Sequence, residues 1–242
     1  MMCEKCNNIL PEIVLSRRTL LKAGAIAAVT PWSFAQSFAA ESPSAANAIT
    51  PAAALERLME GNARYAANMP NTRDFSAGRA ARAKSQFPFA AILSCADSRV
   101  APELAFDQNP GDLFTMRVAG NVMSPHLLAS LEYGVKFLGT PLVMVLGHTN
   151  CGAVSAAIST LKDNAELPGH LPGLIDAIEP AVIAAKAKHP TNLLNGAIAE
   201  NVRLQVADIK QSPPIINKYY ADKKIDVVGA VYDLETGNIA LV

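Results

Sequence analysis

Apolar side chains recur at helical spacing over residues 51–68, at Leu55, Leu58, Met59 and Tyr65, and this spacing predicts an amphipathic helix. The next stretch, 70–86, mixes Pro, Asn, Gly and Arg without a period and reads as a long surface loop. The pattern then changes. Phe89–Cys95 is a short unbroken apolar run, the mark of a strand covered on both faces, and Leu113–Val118, Leu142–Gly147 and Val227–Tyr232 read the same way. Helical patterns fill the gaps. Pro125–Leu138 lies between the second and third runs, Ala153–Leu161 follows the third, and 171–187 and 192–211 precede the fourth. Strands alternating with helices predict an α/β fold with a mostly parallel central sheet flanked by helices. The sequence shows no internal repeat and no second core boundary, so residues 51–242 read as one domain.

The first forty residues follow a different pattern. Ser16-Arg17-Arg18-Thr19-Leu20-Leu21-Lys22 resembles the twin-arginine export signature of bacteria, and an uncharged apolar stretch, Ala23–Val29, follows it. Ser37-Phe38-Ala39 puts small residues at a cleavage position, with Ser33-Phe34-Ala35 and Ala46-Asn47-Ala48 as competing sites. The apolar stretch is shorter than the ~20 residues that span a bilayer. An amphipathic helix with a chance arginine pair is the alternative. The expectation is a signal peptide over 1–39, cleaved on export to the periplasm, then a flexible leader over 40–50. Cys3-Glu4-Lys5-Cys6 would leave with the signal, which makes its C-x-x-C spacing a weak metal or redox indication.

Composition narrows the function. With 21 basic and 21 acidic residues the chain of 242 has no formal net charge, which excludes a basic nucleic-acid surface and an acidic solvating tail as its main theme. Half of the residues are hydrophobic, too many for a disordered chain, and four cysteines are too few for a disulfide-built scaffold. Loss of residues 1–39 would remove Lys5, Arg17, Arg18, Lys22, Glu4 and Glu12, leaving 17 basic and 19 acidic residues, and also Trp32, the only tryptophan. No membrane association is expected after cleavage.

The chemistry lies at two strand ends, where ligands sit in an open α/β sheet. The first strand ends at Cys95-Ala96-Asp97-Ser98-Arg99, and the third runs into Gly147-His148-Thr149-Asn150-Cys151-Gly152 and opens a helix. Two thiolates and an imidazole, with a carboxylate nearby, are a zinc set. His148 and Cys151 flank a tight strand-to-helix turn, where Gly147 and Gly152 are expected to relieve backbone crowding. A helix N-terminus favours the thiolate at Cys151. Three protein ligands leave a fourth position open, the mark of a catalytic rather than a structural zinc. Blander readings exist: a Cys95–Cys151 disulfide, an ordinary Asp97–Arg99 ion pair, and surface positions for His126, His170 and His189.

C-x-D-x-R followed about fifty residues later by H-x-x-C resembles the β-class carbonic anhydrases. The likeness continues through Phe106-Asp107-Gln108-Asn109-Pro110-Gly111-Asp112, Arg117-Val118-Ala119-Gly120-Asn121 and Ser130-Leu131-Glu132-Tyr133, and covers roughly residues 51–242. It implies one zinc per subunit on Cys95, His148 and Cys151, and reversible hydration of carbon dioxide to bicarbonate by attack of zinc-bound hydroxide. Asp97 and Arg99 become the carboxylate and guanidinium beside the metal, with Asp97 a possible fourth ligand in a closed state. Gln86, Phe114, Tyr133 and the Gly152 amide become substrate-binding groups, Phe114 and Tyr133 as an apolar pocket wall that the plainer reading leaves as core. The family's bicarbonate-regulated members carry a tryptophan three residues before the first cysteine; here that position is Ile92, so an open site is expected. The resemblance also implies a homodimer or homotetramer that shares pocket residues across the interface. The alternatives are a zinc hydrolase of carbon disulfide or carbonyl sulfide on the same fold, and a non-catalytic zinc-binding or redox protein.

Overall fold

The structure is a computed structural model that describes residues 47–163 and 166–242; the expected signal, Cys3 and Cys6, and most of the expected leader lie outside the described residues. The leader's last residues, 47–50, are tied to the fold: Asn47 is buried and its Nδ2 donates to Leu138 O at 2.7 Å.

The amphipathic pattern at the start forms α1 (Pro51–Ala66), with Pro51 at its first turn and the Thr50 hydroxyl accepting from Ala53 N at 3.2 Å. The loop that follows carries one short helix, α2 (Arg79–Arg82). Then come β1 (Ala90–Ser94), α3 (Pro102–Ala105), β2 (Leu113–Arg117), a 3-10 turn (Ala119–Asn121) and α4 (Pro125–Lys136). After β3 (Leu142–His148) and α5 (Gly152–Asp163), the expected helix over 171–187 is two helices, α6 (Leu171–Asp176) and α7 (Glu179–Ala187). Pro180 explains the break, because it has no N–H to continue a helix from α6 but fits the first turn of a new one. A long α8 (Leu193–Gln211), a short α9 (Ile216–Ala221), β4 (Asp226–Tyr232) and β5 (Ile239–Leu241) complete the order.

The strands form a five-stranded sheet in the order β2-β1-β3-β4-β5, parallel except for β5, which pairs antiparallel with β4. The unbroken apolar runs are strands buried on both faces, and the period of two divides each between two cores. Ala90 and Ile92 of β1 with Leu142, Met144 and Leu146 of β3 face Leu58 of α1 and Phe106. Ala91 and Leu93 with Val143 and Val145 face Leu131 of α4 and Val202 and Ile209 of α8. A third cluster fills the space between α5, α7 and α8, and Cys95 and Cys151 belong to it. Asn62 of α1 staples the hairpin edge: its Nδ2 donates to Ala105 O and Gly237 O, and its Oδ1 accepts from Ile239 N. No helix among the described residues is long and apolar enough to cross a membrane.

Candidate metal centre

Strand order decides where the site lies. The chain leaves β1 toward β2 on one side and returns in β3 on the other, so the carboxyl ends of β1 and β3 open a crevice at a topological switch point. The register pairs Ser94 with Leu146, and the next residues on the two strands are Cys95 and Gly147, with His148 one further. Cys151 follows the turn directly and its carbonyl accepts from Ser155 N, which places it at the start of α5. The ligand atoms of Cys95, His148 and Cys151 lie within 4.8 Å of one another, and all three residues are buried. Both cysteines are free thiols, not a disulfide.

The donor set fits a metal. His148 Nδ1 lies 2.8 Å from Thr149 O, an arrangement in which Nδ1–H donates and Nε2 keeps its lone pair. That Nε2 is buried without a hydrogen-bond partner, an orphan that a metal bond would satisfy. The thiols behave as a pair. Cys151 beside it, then His148 and the Asp97 and Gly120 amides, pull Cys95 down to about 4 against the opposing effect of burial. Cys151 is pushed up, chiefly by the Cys95 sulfur and by burial. Burial opposes charge on His148, but the Cys95 sulfur, the Thr149 carbonyl and the Asp97 carboxylate together outweigh it and raise the imidazole.

Asp97 stands beside this cluster, its Oδ2 3.8 Å from His148 Nε2. Arg99 grips it with both arms, Nε to Oδ1 at 2.9 Å and Nη2 to Oδ2 at 2.7 Å, and the Arg99 amide adds a third bond to Oδ1. Arg99 therefore holds the carboxyl well below the usual carboxylate range, with burial opposing. Arg117 fixes the backbone beneath, donating through Nε to Cys95 O and through Nη2 to Asp97 O. Such a bidentate grip holds a carboxylate ionised and aimed, as an acceptor beside a Lewis acid requires.

Residues 90–239 match the family described as carbonic anhydrase. Carbonic anhydrase 2 of Mycobacterium tuberculosis is 36% identical over 192 residues, which cover 79% of this chain and 92% of the relative. The carbonic anhydrase of Mycolicibacterium smegmatis is 36% identical over 193 residues, 79% of this chain and 93% of that one. Among solved structures, the Coccomyxa β-carbonic anhydrase in complex with acetazolamide superposes with a TM-score of 0.61 at 29% identity, over 78% of this chain and 86% of that chain. The chain belongs to the β-class carbonic anhydrases.

This membership makes it an enzyme of carbon dioxide hydration, and neither alternative reading is favoured. Carbonic anhydrases of this class are zinc enzymes, and the cysteine–histidine cluster is where a metal would go. The other expected residues are spread more widely. Gln86 is exposed on an open groove of about 960 Å³ with Arg73, Arg82 and Asp112, at the amino end of the sheet. Phe114 and Tyr133 face each other across β2 and α4, ring centroids 6.4 Å apart, and Tyr133 is 37% exposed. Gly152 opens α5, but nothing stands within 4 Å of where its Cβ would be, so it relieves no crowding. The crowding is at Gly147, whose Cβ would meet Val202 Cγ2 at 2.7 Å, and the residue that turns left-handed is Asn150. His126, His170 and His189 are exposed.

Sequence reasoning missed the groups behind the ligands. Gly120, quoted only as part of a motif, donates its N–H to Cys95 Sγ at 3.3 Å, and Asn201 holds the Gly120 carbonyl at 2.7 Å. A buried asparagine in the middle of an apolar helix face was the available signal.

Proposed function

We propose that this carbonic anhydrase holds one zinc ion per subunit on Cys95 Sγ, His148 Nε2 and Cys151 Sγ, and works after export. The observation that carries the metal assignment is the orphaned His148 Nε2 between two buried free thiols. Zinc, when bound there, supplies a Lewis acid that makes water nucleophilic near neutral pH. The chain's own groups do the rest. Asp97, ionised and locked by Arg99, accepts a hydrogen bond from the attacking water and turns its lone pair toward carbon dioxide. Because both Asp97 oxygens are engaged by Arg99, we read the site as open, in keeping with Ile92 at the position three before Cys95. The Gly152 amide, exposed at the first turn of α5, is placed to stabilise the bicarbonate oxygen that gains charge.

Gln86 points to a second copy. It precedes β1 while Cys95 follows it, and five strand residues separate those ends by ~17 Å. A Gln86 that touches substrate therefore does so at a partner's metal, and the half-exposed Phe114 and Tyr133 walls fit the same interface. We infer a homodimer, open to pairing into a tetramer, with export directed by Arg17 and Arg18.

Zinc content measured together with carbon dioxide hydration tests the core of this reading. One zinc per chain, activity lost on chelation and regained with zinc, is the expected result; full activity without metal would overturn it. Mixing Gln86→Ala with His148→Ala chains tests the shared site, since only a mixed dimer regains a complete one. Replacing Arg17 and Arg18 by lysine should leave the precursor unexported.

A further inference from the structure

Two thiolates and a neutral imidazole cancel the formal charge of a divalent metal, so a site of this composition gains from any donor that draws electron density off sulfur. The structure contains such a donor. The turn after β2 brings the Gly120 N–H to Cys95 Sγ at 3.3 Å. That turn is a demanding one, with left-handed backbone at both Gly120 (φ 71°) and Asn121 (φ 46°). A Cβ at Gly120 would meet the Ile178 Cδ1 methyl at 2.6 Å and Ala153 Cβ at 3.3 Å, so a side chain there would displace Ile178 as well as strain the left-handed backbone.

What fixes the turn comes from α8, 81 residues on. Asn201 is 1% exposed, among the apolar Ala197, Ile198 and Val202. Its Nδ2 donates to Gly120 O at 2.7 Å, while its Oδ1 has no hydrogen-bond partner. A half-satisfied amide in a buried helix face is costly, and its one bond goes to the residue that donates to the metal-site sulfur. Gly120 is thus pinned at both of its polar groups, N–H on Cys95 and C=O on Asn201. Four residues further along α8, Gln205 Oε1 accepts from Met123 N at 2.7 Å, a second tie between the same helix and the same loop that does not reach the sulfur.

We propose that Asn201 is a positioning residue for the metal-site thiolate: it holds Gly120 so that the N–H···S bond to Cys95 stays made, and so tunes the electron density that Cys95 gives the metal. The inference rests on the metal reading of Cys95, His148 and Cys151. It separates Asn201 from a residue that only stabilises the fold, because the effect is read at the sulfur.

The test loads the full protein with cobalt(II) in place of zinc and records the thiolate-to-cobalt charge-transfer absorption, with zinc affinity measured by chelator competition. In Asn201→Ala and in the isosteric Asn201→Asp, the band moves to longer wavelength and zinc affinity falls about tenfold. In Gln205→Ala the band stays in place, although stability falls. An unmoved band in folded Asn201 variants overturns the proposal, as does an equal shift in Gln205→Ala. Should neither Asn201 variant fold, wild-type protein loaded with an NMR-active cadmium isotope decides: scalar coupling from the Gly120 amide proton to cadmium supports the proposal, and its absence overturns it. Wild-type protein that takes up no cobalt overturns the metal reading itself, and this inference with it.

Discussion

Two aspartates of this chain are each held by arginine, and they do opposite work. Asp97 is gripped by one arginine two residues along, which is itself 54% exposed, and its carboxylate edges the cysteine–histidine cluster. Asp107 is sealed, with a fully buried side chain. It pairs with Arg64 of α1 at 2.6 Å and with Arg73 of the following loop, and it accepts from the Asn71 amide. Burial raises the Asp107 carboxyl, but Arg64, the Asn71 amide and Arg73 outweigh it and leave the group below its ordinary value. The first pair is local and faces the open end of the sheet. The second joins segments 43 and 34 residues apart. On the function proposed above, the same ion pair serves the reaction where it borders the ligand cluster, and it is a staple where it is sealed in the fold.

Substitutions at the two positions separate these roles. Asp97→Ala should cut carbon dioxide hydration by about a hundredfold to ten-thousandfold, the range for a lost proton-handling group, with zinc content unchanged and stability altered by about 0.5 kcal/mol or less. Stopped-flow hydration, metal analysis and a melting curve check all three. Asp107→Ala should do the reverse. It leaves the half-buried Arg73 without its partner and costs about 3 kcal/mol, seen as a melting temperature lower by about 6–12 °C, with zinc stoichiometry unchanged. Zinc loss in folded Asp107→Ala would break the comparison.

Arg99→Lys sharpens the comparison from the catalytic side. A lysine replaces the two-armed fork by a point charge, so Asp97 stays ionised but loses its fixed aim, and hydration should fall about tenfold. Unchanged activity would mean that charge alone, not orientation, is what Arg99 supplies. The smallest effect is in the acid limb of stability. Asp107 titrates below its ordinary 3.8 in the folded chain, so its stabilisation is full above that value and is lost as pH falls through the lower folded value. Denaturant titrations from about pH 5 down to pH 3 should therefore show a less steep loss of stability in Asp107→Asn than in wild type.

The difference between the two aspartates also marks what the sequence carried. Asp97–Arg99 and His148–Cys151 each lie within one turn of chain, so residue type and spacing were enough to expose them. The four parallel strands were legible for a similar reason, since burial on both faces leaves an unbroken apolar run. β5 was not, because three residues with only Ile239 buried carry no pattern, and its place comes from the hairpin that Asn62 ties to α1.

The sequence by itself thus determined the four parallel strands, the longer helices and the family, and it pointed to the candidate ligand types. The tertiary structure alone decided which distant residues meet. Strand order, which no local pattern encodes, sets β1 beside β3 and so brings Cys95 to His148 and Cys151. It places Gln86 at the far end of β1, brings Arg64 and Arg73 onto Asp107, crowds Gly147 with Val202, and carries Asn201 across 81 residues to Gly120. The physical reason is range. A turn or a helical face is fixed by neighbours a few bonds away, whereas these meetings depend on the pairing of whole strands and the packing of α1 and α8 against the sheet.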